Sequence, residues 1–350
     1  MSAPVVRVKD LAVNFQTETG VVNAVRGLSF DLEEREVLGI VGESGSGKSV
    51  TSLALIGLLP KSAEVSGSVQ IDGQEIVGRS EKDMYQLRGA QVSMIFQDPM
   101  TSLNPVHTIG WQIIEAVRAH REMSKEDARL EAIRLLTLSG IPRPEVAIDS
   151  YPHEFSGGMR QRAVIAIAMA NSPRVMLADE PTTALDVTVQ AQVMQSLESA
   201  LEATKAALIL VTHDLGVVAG VANRVIVMYA GRVVEYANVD DLFEKPAMPY
   251  THGLLGSIPS HTDDSKRRLS QIPGSPPTMT MAAVGCPFAP RCPMAQDICR
   301  TTEPSLEVVG SDPNGSHRAA CHFRNEVSAM VVASMFEGID VNDVATENGN

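Results

Sequence analysis

Apolar positions along the chain fall into short continuous runs bounded by glycine and polar residues, and these alternate with stretches of helical period. Glu36-Val-Leu-Gly-Ile-Val41 is one such run; it ends at Gly42, passes through a Gly-rich turn and gives way to the helix-like stretch Lys48 to Leu59. That order predicts strand, phosphate-binding loop and helix. Val175 to Ala178 and Ala207 to Val211 are two further runs that end in polar residues, as buried parallel strands do where they deliver side chains to a ligand crevice. The expectation is an α/β sheet with helices on both faces.

Between these runs Ile113, Ile114 and Val117 recur at helical spacing. A second helix begins at Ser124, whose Ser-Lys-Glu-Asp pattern resembles a capping box, and Leu130, Ile133 and Leu136 give it an apolar face before Gly140 and Pro142 stop it. Residues from roughly 100 to 158 therefore read as a helical subdomain inserted into the sheet domain. Arg224 to Tyr236 predicts a hairpin turning at Ala230 and Gly231. After about residue 255 the texture changes, with prolines at 259, 273, 276, 277, 287, 290 and 293 marking a loop-rich region over 256–325. From Asn325 onward there are acidic residues but no Lys or Arg, so 326–350 reads as a loose tail or a partner-docking strip.

A chain of 350 residues exceeds the usual single domain, so the sheet domain over 1–255 is expected to carry an appendage. Apolar residues at 44% and charged ones at 20% argue for an ordered fold over most of its length. A net charge of −13 disfavours a nucleic-acid partner, because phosphate binding leaves a basic footprint. The start, MSAPVVRVKDLAV, lacks the basic flank and apolar stretch of a secretory signal, and no apolar segment reaches the roughly 20 residues that cross a bilayer. A cytosolic protein that meets the membrane only through partners is expected.

The chemistry is concentrated in a few segments. Gly42-Glu43-Ser44-Gly45-Ser46-Gly47-Lys48-Ser49, followed by Val50, matches the full phosphate-loop pattern between a strand and a helix. Its glycines let consecutive N–H groups curl round phosphate oxygens, and the helix N-terminus adds a favourable dipole. Lys48 is expected to reach the β and γ phosphates of ATP, and Ser49 to ligate Mg2+. The run ending in Asp179-Glu180 sets two carboxylates at a strand end, with Asp179 expected on Mg2+ and Glu180 on the attacking water.

Tyr151-Pro-His-Glu-Phe-Ser-Gly-Gly-Met-Arg-Gln-Arg162 resembles the signature of ABC ATPases, centred on Ser156, Gly157 and Gly158 and continuing into Met159. Ser156 can cap the following helix and so present a second anion site. The resemblance covers roughly 5 to 240. It implies a P-loop NTPase of ABC type, with a RecA-like core, an antiparallel β subdomain and the inserted helical subdomain. It also implies Mg2+ and water contact by Gln97, a γ-phosphate contact by His213, a D-loop at Asp186, adenine stacking by Phe15 in place of the more usual tyrosine, and a signature that acts in trans.

Pro249-Tyr-Thr251, Ile272 to Pro277, Gly285 to Pro293 and Cys321-His322 narrow the likeness to the ATPases of dipeptide and oligopeptide importers, and Ser-Gly-Gly-Met-Arg-Gln-Arg to their D-type subunit. Implied partners are an F-type ATPase subunit, two transmembrane permeases and an extracytoplasmic peptide-binding protein, at the cytoplasmic face of the cell membrane. Import of nickel or another small solute by the same type of ATPase, or a non-transport ABC ATPase with a metal-sensing appendage, are the alternatives.

All four cysteines, Cys286, Cys292, Cys299 and Cys321, lie in the proline-rich region with five, six and twenty-one residues between them. Clustering in a chain read as cytosolic points to a metal before a disulfide framework. Four thiolates suit zinc or a [4Fe-4S] cluster; the gaps exceed those of zinc knuckles, which favours the larger cluster, with Zn2+ and unmetallated thiols as alternatives. The importer resemblance points to iron-sulfur as well.

Overall fold

The computed structural model describes residues 3–18, 20–258, 272–277, 284–311, 315–332 and 334–336. Two long strands open the chain, β1 (Val6–Thr17) and β2 (Gly20–Leu32). Alternate residues of both are buried, the period of a sheet with one face in the core. With β4 (Ala63–Ile71) and β5 (Gln74–Glu75) they form an antiparallel sheet in the order β2-β1-β4-β5.

The second sheet contains β3 (Val37–Val41), β6 (Val92–Ile95), β7 (Val175–Asp179), β8 (Ala207–Thr212) and β9 (Arg224–Tyr229) as neighbours in the order β9-β3-β8-β7-β6, all parallel. Every residue of β7 and β8 is buried, the reason these strands read as unbroken apolar runs. Beyond β9 the sheet turns antiparallel with β10 (Arg232–Asn238), then the two-residue strands β12 (Arg318–Ala319) and β11 (Glu307–Val308). Ala230 and Gly231 turn the β9–β10 hairpin at φ 49° and 77°, the left-handed values a tight turn requires.

Helix α1 (Lys48–Leu55) follows β3 and stops short of Leu59, because Gly57 takes φ 61° and returns its N–H to the Ala54 carbonyl at 3.1 Å. Helix α2 (Glu81–Leu87) precedes β6. A bundle then fills the gap between β6 and β7: α3 (Pro99–Ser102), α4 (Ile109–Arg118), α5 (Lys125–Leu138), α6 (Pro144–Ala147) and α7 (Gly157–Ala168). Ser124 caps α5 by accepting the Asp127 N–H at 3.1 Å. Ile109, Ile113, Val117, Leu135, Leu136 and Ile165 share one core with one face of the sheet, so α7, beyond the expected limit at 158, belongs to the same packed unit. Helices α8 (Val187–Thr204) and α9 (Leu215–Val221) link the later strands.

Helices α10 (Val239–Glu244), α11 (Pro249–Gly256), α12 (Asp297–Thr301) and α13 (Arg324–Ser328) belong to the C-terminal part. It is not a detached appendage. Tyr250, Phe288 and Phe336 pack with Val225, Val227 and Tyr229 of β9 in a third core, and β12 extends the main sheet. The boundary read at 325/326 falls inside α13, and beyond it Val327 and Phe336 are buried while Met330 and Val331 are exposed. The remainder of the tail, 337–350, and Pro259 lie outside the described residues. No helix among the described residues is long and apolar enough to cross a membrane.

Candidate functional site

Four parallel strands end at one edge, and the chain leaves each of them into a segment that carries polar chemistry. The loop after β3 enters α1, Gln97 follows β6, Asp179 ends β7 with Glu180 next, and His213 follows β8. Strand ends of an open α/β sheet form a crevice at such an edge. Here it is a cleft of about 800 Å³ lined by Gly42, Glu43, Ser44, Gly45, Gly47, Lys48, Ser49 and Val50, with Gln97, Glu180 and His213 across from them.

The loop's shape depends on two glycines. Gly42 has φ 154°, and a Cβ there would lie 2.3 Å from the Met228 carbonyl oxygen; Gly47 has φ 102°, and its Cβ would lie 2.4 Å from the Ala24 carbonyl oxygen. Lys48 is buried, its Nζ donating to the carbonyls of Gly42 at 2.7 Å and Glu43 at 2.9 Å. Burial lowers its pKa, against the pull of Glu180, Asp179 and Glu43. Ser46, within the loop, is buried, its Oγ has no partner among the described residues, and it does not line the cleft.

Ser49 Oγ donates to Asp179 Oδ1 at 3.2 Å, which brings the two candidate Mg2+ groups together. Burial pushes the Asp179 carboxyl pKa up; the Ser49 bond opposes this and Glu180 adds to it. Glu180 itself has φ 48°, a left-handed conformation that costs a non-glycine residue roughly 1–3 kcal/mol. Its N–H donates to the Val211 carbonyl at 2.8 Å. Gln97 Nε2 donates to Glu180 Oε2 at 3.0 Å, Thr183 Oγ1 donates to the same oxygen at 2.8 Å, and His213 Nδ1 lies 3.4 Å from Oε1. Both carboxylate oxygens are thus oriented at the mouth of the cleft. Thr183 escaped the sequence reading as a partner of Glu180, although Glu-Pro-Thr-Thr places it three positions on.

Ser156, Gly157, Gly158 and Met159 lie away from this cleft in their own chain. Ser156 caps α7 by accepting the Met159 N–H at 3.3 Å and is exposed. Asp186 likewise caps α8, accepting the Val189 N–H at 3.0 Å, beside Val187, which is 83% exposed. Phe15 does not reach the cleft wall either: it pairs with Val22 and Ala63 in the antiparallel sheet and packs half-buried on that sheet's core. Ala24 of β2 stands at the wall in its stead, with Leu254, Ser257 and Ile272 from the C-terminal part. No local pattern marks these residues as cleft-lining.

The cysteines converge. Cys286, Cys292, Cys299 and Cys321 line one cavity with Met248, Pro249, Phe288 and Phe323. Burial pushes the thiols of Cys292 and Cys321 up to about 12, with the neighbouring cysteines adding to the rise. The Phe323 N–H donates to Cys321 Sγ at 3.4 Å, and the Cys286 N–H to the Cys299 carbonyl at 2.7 Å. Among the described residues, no three His, Cys, Asp or Glu side chains close round a point as a single ion requires. His322 lines the cavity, its Nε2 2.9 Å from the Thr302 carbonyl oxygen; His317 pairs with buried Glu235 at 2.8 Å.

A glycine-rich loop at a strand-to-helix turn, facing two adjacent carboxylates at the end of β7, defines a P-loop nucleotide-binding protein. The ABC transporter family profile matches residues 25–183, and that of the oligopeptide/dipeptide transporter C-terminal region matches 234–299. The chain is 49% identical to the oligopeptide transport ATP-binding protein OppD of Escherichia coli, over 86% of this chain and 89% of that one. It is 48% identical to the dipeptide transport ATP-binding protein DppD of Bacillus subtilis, over 94% and 98%. With OppD of Mycobacterium bovis it shares 52% identity over 95% of its own length, and it spans only 54% of that longer relative. Among solved structures, a dimeric ATP-binding cassette in a post-hydrolysis state with ADP and Pi is similar at TM-score 0.60 and 27% identity, over 67% of this chain and 98% of that one. The chain belongs to the ATP-binding proteins of oligopeptide and dipeptide ABC transporters.

Proposed function

We propose that the chain is the ATP-hydrolysing subunit of an importer that takes dipeptides or oligopeptides across the cytoplasmic membrane, seated on its inner face. The observation that carries the reading is Glu180, held in a left-handed backbone with both carboxylate oxygens engaged, at the mouth of a cleft whose opposite wall is the phosphate loop. In this reading the loop N–H groups and Lys48 would hold the phosphates, and Ser49 and Asp179 would hold Mg2+, which would supply positive charge against the phosphates. Glu180 takes the proton of the attacking water, while Gln97 and His213 keep its carboxylate in line. The exposed Ser156 turn of a second subunit covers the nucleotide from the other side, with Asp186 at the same interface. Phe15 does not line the cleft in its own chain, so adenine stacking on it is proposed only for the closed dimer.

On this reading the ATPase part runs to about residue 255, and the region that follows, through α13, is the part that holds the cluster. An F-type subunit is the proposed partner, with two permeases and a binding protein choosing the cargo; the likeness to oligopeptide and dipeptide transport ATP-binding proteins favours peptides over nickel. We also propose a [4Fe-4S] cluster on Cys286, Cys292, Cys299 and Cys321. What supports the proposal is that all four thiols line one cavity, with spacings wider than those of zinc knuckles. When bound, such a group supplies a covalent staple and electron storage. Uptake of labelled peptides and of nickel in a deletion strain complemented with wild type or Glu180→Gln tests the function. Peptide uptake restored only by wild type supports it, and uptake restored equally by both would refute it.

A further inference from the structure

One pair of charges outside the proposed mechanism joins the cysteine-bearing region to the phosphate loop. Arg291 stands between Cys286 and Cys292, its side chain 5% exposed. Its fork donates to Glu43 through Nη1 at 2.6 Å and Nη2 at 2.9 Å, although 248 positions separate the two residues. Nε donates to the Pro273 carbonyl at 2.8 Å and Nη1 also to Tyr229 Oη at 3.3 Å, with the guanidinium 5.9 Å from the ring centres of both Tyr229 and Phe288. The same loop residue is fixed a second time, since the Glu43 N–H donates to Tyr250 Oη at 2.7 Å.

Glu43 lines the anion cleft, where an unpaired carboxylate would repel a triphosphate. A bidentate arginine cancels that charge and fixes its direction more firmly than a lysine does. Leu254, Ser257 and Ile272, from the same part of the chain, form a wall of the cleft.

We infer that Arg291 is a positioning residue for nucleotide binding: by neutralising and anchoring Glu43 it keeps the phosphate loop receptive to ATP, and so makes the C-terminal region part of the nucleotide site. The inference rests on the cleft being the ATP site. Equilibrium titration of the full chain with Mg-ATP tests it, with Lys48→Ala as a control and circular dichroism to check folding. Folded Arg291→Ala is expected to bind ATP about tenfold more weakly, the double variant with Glu43→Gln to recover to within about threefold of wild type, and Arg291→Lys, which keeps the charge, to stay within about threefold. Wild-type affinity in Arg291→Ala, or a loss that Glu43→Gln does not relieve, overturns the inference. Should Arg291→Ala not fold, Arg291→Gln, which keeps a polar side chain and removes the charge, decides: about a tenfold loss supports the inference, and wild-type affinity overturns it. If Lys48→Ala binds like wild type, the reading of the cleft fails and this inference with it; if only Lys48→Ala loses ATP, the cleft reading stands and the inference alone falls.

Discussion

Glu180 gathers three side chains from three different segments, Gln97 after β6, Thr183 after β7 and His213 after β8. In the proposed role of base, a carboxylate held by two hydrogen bonds at Oε2, with His213 near Oε1, has less entropy to lose when it orients a water. Glu180→Gln keeps the shape and removes the proton acceptor, so ATP should still bind while hydrolysis by the assembled transporter falls by a factor on the order of 100 or more, read from phosphate release. Unaltered turnover would remove Glu180 from the role of base. Gly47 sets a different constraint at the same site. Its φ of 102° and the 2.4 Å approach to the Ala24 carbonyl leave no room for a methyl group. Gly47→Ala should cost about 1–3 kcal/mol, seen as a lower urea midpoint, and weaken ATP binding as the loop shifts.

At the scale of elements, the signature helix is held by its cap and by a glycine contact. Ser156 supplies the cap of α7, and Ser156→Ala should cost about 1 kcal/mol in urea unfolding, with a larger loss of ATP turnover in the assembled transporter if the same hydroxyl meets the partner's nucleotide. A stability loss with full turnover would leave Ser156 as a cap alone. Gly158 lets α7 approach α8 so closely that a Cβ would sit 2.3 Å from Val189 Cγ1. Gly158→Ala should therefore force the two helices apart at a cost of about 1–3 kcal/mol, and a second change, Val189→Ala, should recover part of it. Additive losses in the double variant would show that the two side chains do not meet.

Across the whole molecule, three cores meet on the same sheet: one shared with the antiparallel sheet, one with the helical bundle and one with the C-terminal part. The third core surrounds the cysteine cavity, as Phe288 belongs to both. If the proposed cluster is bound, its loss should be felt in the fold, because four thiols, Cys299 buried and the other three half-buried, would be left beside apolar side chains without their metal. Anaerobically purified chain should carry about four iron and four sulfide, and Cys299→Ser should lower both and the midpoint of thermal unfolding together. One zinc per chain with no sulfide would replace the iron-sulfur assignment.

Local order carried much of this in the residues themselves. The phosphate loop was located by its own pattern between strand and helix, and the carboxylates after β7 and the cap at Ser156 by contiguous segments that resemble those of ABC ATPases. The hairpin at Ala230-Gly231 was legible for the same reason. The end of α1 at Leu55 was missed because a single glycine outweighed an apolar run. What the sequence could not carry is what joins distant segments: the Thr183 bond to Glu180, the absence of Phe15 from the cleft wall, the burial of Phe336, the meeting of four cysteines and the Arg291 grip on Glu43. These contacts depend on how strands are ordered and layers packed, and strand order is decided by burial summed over the entire chain, which no local window contains.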